Sequence, residues 1–167
     1  MPTLEEVVSA VKEKKMKLPK GLALAHRGDD WKILLFPNRI QSEEDEKEYL
    51  AFCLSVADGI PAAVTEETGL RLGSYLAASE KMAGDEMYEG AIMKVTAYYP
   101  LLNNVLAVGV LADHPSRGYE GGWFLLPPAR EMSLVGLIAT GCWTVLTEDE
   151  AKKLAEERGL SFDSAYL

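Results

Sequence analysis

Histidine is the usual proton acceptor in nucleophilic and general-base catalysis, and the chain has two, His26 and His114. His114 stands in Ala112-Asp113-His114-Pro115-Ser116-Arg117-Gly118-Tyr119-Glu120-Gly121-Gly122, directly after the most apolar stretch of the sequence. Loops held by a rigid sheet carry sites disproportionately. The segment 113–122 is therefore a candidate small-molecule site. His114 would be the general base, Asp113 and Glu120 carboxylates beside it, and Arg117 the grip on an anionic group. Gly121 and Gly122 would let a ligand approach the backbone closely. The same composition also describes a plain solvated connection, in which Pro and Gly form turns and the charges face water. His26 lies on a predicted hairpin and reads as structural.

Asp113, His114 and Glu120 form a mixed nitrogen and oxygen donor set of the kind a first-row metal accepts. Adjacent side chains on an extended chain point in opposite directions, so no metal site is assigned, and no cofactor is expected. Cys53 and Cys142 stand far apart in apolar surroundings and read as buried thiols, without a disulfide framework or a Cys-x-x-Cys pair. The phosphate-loop, dinucleotide, zinc-protease and serine-hydrolase signatures do not occur.

The run Arg117-Gly118-Tyr119-Glu120-Gly121-Gly122 resembles the acetyl-coenzyme A pyrophosphate loop of the GNAT acetyltransferases, whose pattern is Arg/Gln-x-x-Gly-x-Gly/Ala. The resemblance implies backbone N–H groups cradling phosphate at a helix N-terminus. Glu120 occupies the place of that pattern's first glycine, and the segment that follows reads as a strand. The family is not claimed.

The elements that must position these residues follow from periodicity and punctuation. Thr3 and Glu6 form a predicted capping box for a helix with Leu4, Val7, Val8 and Val11 as its apolar stripe, closed near Pro19. Leu22–Ala25 and Trp31–Phe36 flank Arg27-Gly28-Asp29-Asp30, a hairpin signal. Ser42 starts a second helix with Tyr49, Phe52, Cys53 and Val56 inward. A third helix is predicted from Thr65 to Gly84, with Leu72, Tyr75, Leu76 and Met82 inward. From Glu89 the period changes to two. Ala91, Met93, Val95 and Ala97 share a face of a strand that begins a three-strand meander with Val105–Leu111 and Gly121–Leu126. A helix near 129–140, a strand at Cys142–Val145 and a helix capped by Thr147 and Glu150 complete the series.

This order predicts an α+β fold with a mainly antiparallel sheet, a hairpin plus a meander, and helices packed on it. Residues 1–160 are expected to form a single domain and 161–167 a C-terminal tail. The order resembles that of roadblock and profilin-like proteins, which implies architecture and no functional residues. Phe162, Tyr166 and Leu167 place large apolar groups in the tail, to dock on their own domain or on a neighbouring subunit.

The chain has 167 residues with 17 basic against 26 acidic side chains, a formal charge of −9. That balance removes the counterion-release term behind non-specific nucleic-acid affinity, so nucleic acid is not an expected partner. The acidic, amphipathic start reads as no secretory leader, and the longest apolar stretch, 132–146, falls short of the ~20 residues a bilayer needs. A soluble cytoplasmic protein without a membrane partner is expected. Five lysines gather in Lys12–Lys20 and five carboxylates in Glu43–Glu48, permitting head-to-tail or two-fold contact between copies. The leading expectation is a small binding or assembly protein, homo-oligomeric, regulatory or particle-building. The alternatives are a transferase-like enzyme or ligand-binding protein using 113–122, and an acidic inhibitor imitating nucleic acid.

Overall fold

The computed structural model describes residues 1–79, 90–109, 123–126 and 133–160. The fold is α+β with antiparallel sheets, and it divides into two compact units: residues 1–58 with 99–103, and residues 59–98 with 104–167.

In the first unit, helix α1 (Leu4–Lys12) starts where the Thr3 hydroxyl accepts from the Glu6 N–H at 3.2 Å. The predicted box differs in detail, because the Glu6 carboxylate accepts from the Thr3 hydroxyl itself, also at 3.2 Å. Strands β1 (Leu22–Arg27) and β2 (Asp30–Leu35) form an antiparallel hairpin with His26 opposite Trp31 and Leu22 opposite Leu35. Gly28 takes the first loop position at φ +62°, the positive φ that a primed hairpin turn requires. Helix α2 (Glu43–Leu54) is capped by Ser42, whose hydroxyl accepts from the Asp45 N–H at 3.1 Å. Its expected stripe holds: Tyr49, Cys53 and Val56 are buried and Phe52 is half-buried. Leu22, Tyr49 and Cys53 centre this unit's core, with Ile33, Ile40, Leu101 and Leu102 against them.

The second unit holds α3 (Ala62–Thr68), β3 (Tyr75–Ala78), β4 (Ile92–Tyr99), β5 (Asn104–Gly109), β6 (Trp123–Leu126), α4 (Leu134–Ala139), β7 (Trp143–Leu146) and α5 (Glu148–Glu157). Its five strands run in the order β6-β5-β4-β3-β7, so the expected meander β4-β5-β6 is present. The helix expected over 65–84 is corrected. It ends at Gly69, whose φ of +77° is the left-handed C-terminal cap, and Tyr75 and Leu76 belong to a strand. Thr65 is not its cap but lies inside α3, its hydroxyl donating to the Leu70 carbonyl at 2.8 Å, and Leu72 is exposed rather than inward. Gly84 and Met82 lie outside the described residues.

The reason for the misreading is two-sided burial. Leu76 and Ala78 meet the cluster of Leu70, Met93, Leu126, Leu134 and Trp143, while Tyr75 and Ala77 meet Ile92 and the α5 residues Ala151 and Ala155. A strand covered on both faces shows a continuous apolar run, which periodicity alone does not separate from a buried helix. Strand β3 also stands between helix and meander in the helix, hairpin, helix, three-strand meander, helix order on which the roadblock and profilin-like likeness rests. Ala91, Met93 and Val95 share one face as expected, and Ile92 is buried on the other beneath α5. Helix α4 starts at Leu134, β7 at Trp143, and α5 carries the full reciprocal box between Thr147 and Glu150.

Candidate functional site

The candidate loop residues Asp113, His114, Arg117, Glu120, Gly121 and Gly122, and the tail residues Phe162, Tyr166 and Leu167, lie outside the described residues. Among the described residues no group of three His, Cys, Asp or Glu side chains is placed to hold a metal ion, and no helix is long and apolar enough to cross a membrane. The surface features that the described residues do assemble are in the first unit, on either side of α1.

Helix α1 is held at its N-terminus by two returning contacts. The Ala57 N–H donates to the Pro2 carbonyl at 3.0 Å, and the Leu4 N–H faces both Asp58 carboxylate oxygens at 3.4 Å, a negative charge at the positive end of the helix dipole. Its apolar stripe is wider than the surface it buries. Val7 is fully buried, whereas Leu4 and Val8 are half-buried and floor a groove of about 740 Å³ against Trp31 and Ile33 of β2. Val11, also half-buried, lies in a second groove of about 590 Å³ with Met16, Leu18, Leu22 and Ala23.

The rims of these grooves differ in sign. The first carries Glu5, Asp29, Asp30 and Asp58 with Lys12 and Lys32. Lys12 Nζ lies 4.6 Å from the centroid of the Trp31 ring, and Trp31 stacks on His26 with centroids 4.2 Å apart. Lys32 pairs with Asp30 at 3.5 Å. His26 lies on the hairpin, as expected, opposite Trp31. The second groove is rimmed by Lys14, Lys15 and Lys17. Here the chain leaves α1 through Lys14 at φ +61°, with the Lys15 N–H donating to the Ala10 carbonyl at 2.8 Å and the Lys14 N–H to that of Val11 at 3.1 Å. That is a Schellman ending with lysine where glycine ordinarily sits.

The two charge runs, far apart in sequence, meet in this unit. Lys20 Nζ lies 3.7 Å from Asp45 Oδ1, and the Asp45 side chain is only 13% exposed. The last lysine of the basic run and the first turn of α2 are thus joined by one ion pair. Leu34, Leu35 and Leu50 are exposed large apolar side chains of this unit. The hairpin has no further strand neighbour among the described residues. Open grooves with apolar floors and charged rims suit a protein segment lying across them, with apolar contact for affinity and the rim for orientation.

Sequence reasoning missed Trp31 and Lys14 as members of these surfaces. Trp31 was legible in part, since Trp31, Ile33 and Leu35 alternate along β2. The left-handed Lys14 carried no signal, because a lysine there is the residue statistics disfavour.

Comparison of the chain with protein-family models, with curated proteins and with solved structures finds no match in any of the three.

Proposed function

We propose that the chain is a small binding or assembly protein that acts through protein–protein contacts, as a homo-oligomeric regulatory or particle-building subunit. The observation that carries this reading is the incomplete burial of α1: of its stripe only Val7 is fully covered, and Leu4, Val8 and Val11 floor two open grooves with charged rims. Exposed Leu34, Leu35 and Leu50 in the same unit add apolar surface of the kind that marks contact sites when contiguous.

Light scattering of the full chain over a wide concentration series tests the reading. A mass that rises to a defined multiple of the 18.3 kDa chain is expected. A monomer mass at every concentration would overturn self-assembly.

A further inference from the structure

Resting on the reading of a protein that works through protein–protein contacts, we propose that the groove between α1 and the free edge of β2 takes an extended segment of a partner protein. The segment adds to the hairpin as a third strand, with apolar residues at alternate positions and a net positive charge.

The backbone of β2 presents the template. The Phe36 N–H donates to the Gly21 carbonyl at 2.7 Å, and in an antiparallel pair bonded and unbonded positions alternate. In the register that sets Leu22 opposite Leu35 and Arg27 opposite Asp30, the bonds to β1 therefore fall at Asp30, Lys32 and Leu34. The N–H and C=O groups of Trp31, Ile33 and Leu35 point the other way, and among the described residues no strand or hydrogen bond meets them. A row of unpaired backbone groups is what an added strand pairs with.

The groove of about 740 Å³ runs along this edge. Asp29, Asp30, Trp31, Lys32 and Ile33 line it consecutively, and no residue of β1 does. A groove over one face of the hairpin would take alternate residues only. Leu4, Val8 and Lys12 of α1 line the same groove, so a strand edge and a helix flank one slot. At about 3.4 Å per residue the edge of β2 is roughly 20 Å long, the length of a segment of about six residues. Apolar side chains on the α1 side then meet Trp31, Ile33 and Val8, and exposed Leu34 and Leu35 gain cross-strand neighbours. Charge sets the partner's sign. The rim carries four carboxylates, Glu5, Asp29, Asp30 and Asp58, against Lys12 and Lys32, and Arg27 lies outside it. Asp58 faces the Leu4 N–H, Lys32 pairs with Asp30 at 3.5 Å, and Lys12 lies over the Trp31 ring. Glu5 and Asp29 are left to meet positive charge, which orients the segment as it docks.

Synthetic peptides test this without altering the fold. The probe is a capped peptide of alternating valine and threonine with two lysines at each end, followed by fluorescence anisotropy and by amide exchange of the full chain. In the dilute protein alone, the Trp31, Ile33 and Leu35 amides should exchange faster than those of Lys32 and Leu34. Saturating peptide should slow them to the rate of those neighbours. Partner residues directly opposite Trp31, Ile33 and Leu35 share their face and carry the bonds, so the apolar positions supply the pairing amides. N-methylation at every valine should therefore abolish binding, and N-methylation at every threonine should leave it nearly unchanged. Glutamates in place of the terminal lysines should weaken binding several-fold. Binding that leaves the three amides unprotected, or that survives N-methylation at valine, overturns strand addition and leaves a protein-contact role standing. Glutamate ends that bind as well as lysine ends overturn the basic partner. Protection of the three amides on concentrating the protein alone shows a second copy as occupant, and overturns a separate partner. No peptide binding by a chain that light scattering shows to assemble overturns this site alone. No binding together with a monomer mass throughout overturns the assembly reading as well.

Discussion

Trp31 stacks on His26 across the β1–β2 hairpin, with ring centroids 4.2 Å apart and planes inclined by 23°. The two face each other in register, so the stack joins the strands at the turn end while Leu22 and Leu35 pair at the open end. Lys12 over the same ring adds a contact from α1. Aromatic pairs contribute about 0.5–1.5 kcal/mol beyond area burial, and an exposed cation–π contact about 0.5–1 kcal/mol. An isolated hairpin is marginal in water, so these contacts matter here.

Trp31→Ala is expected to destabilise the first unit by about 1–3 kcal/mol, and Trp31→Phe by less. Denaturant unfolding, with hydrogen exchange at the β1–β2 amides, measures it. Unchanged exchange in Trp31→Ala would show that the stack contributes nothing to holding the hairpin.

Lys14→Gly should raise stability by about 1 kcal/mol, because a residue with a Cβ is strained at φ +61° and glycine is not. The gain is reduced by glycine's larger entropy in the unfolded chain. Thermal melts of the two proteins compare them directly.

Arg158, just beyond α5, donates to the Gly90 carbonyl at 3.0 Å and to the Ala78 carbonyl at 3.2 Å. One guanidinium thereby ties the helix to the end of β3 and to the approach to β4. Arg158→Met should cost about 1–2 kcal/mol, and Arg158→Lys should recover little, since a single ammonium lacks the planar fork. Faster amide exchange near residues 78 and 91 in the Met variant is the expected signature, and equal protection would remove the tie.

Stability should fall on the alkaline side. Burial, with the neighbouring Cys53, pushes the Tyr49 hydroxyl from 10.0 up to about 12, and burial pushes the Cys53 thiol above 9.0. Burial and the nearby Glu148 carboxylate also raise Tyr75. Each group is an acid whose neutral form the fold favours, so the unfolded chain releases its proton first. The slope of unfolding free energy with pH is then negative. Stability is fully present below about pH 9 and is lost progressively as pH rises toward 12. Denaturant melts at stepped pH read this out, and Tyr49→Phe should flatten the upper part of the curve. The same burial predicts that a thiol reagent modifies half-buried Cys142 in the native protein but reaches Cys53 only on unfolding.

What the sequence determined by itself was chemistry that acts over one helical turn or one tight loop. The cap at Ser42, the reciprocal box at Thr147 and Glu150, and the Gly28 turn each join residues two to four positions apart, and all are present. The tertiary structure alone decided what depends on distant neighbours. Tyr75–Ala78 is a strand because β4 and β7 flank it and because helices from both sides cover it, and no property of those four residues announces that. Likewise, the lysine and carboxylate runs were visible as composition. That they meet at Lys20 and Asp45, and that the stripe of α1 stays partly uncovered, follows from how the chain folds the hairpin against α1 and brings Lys20 to α2.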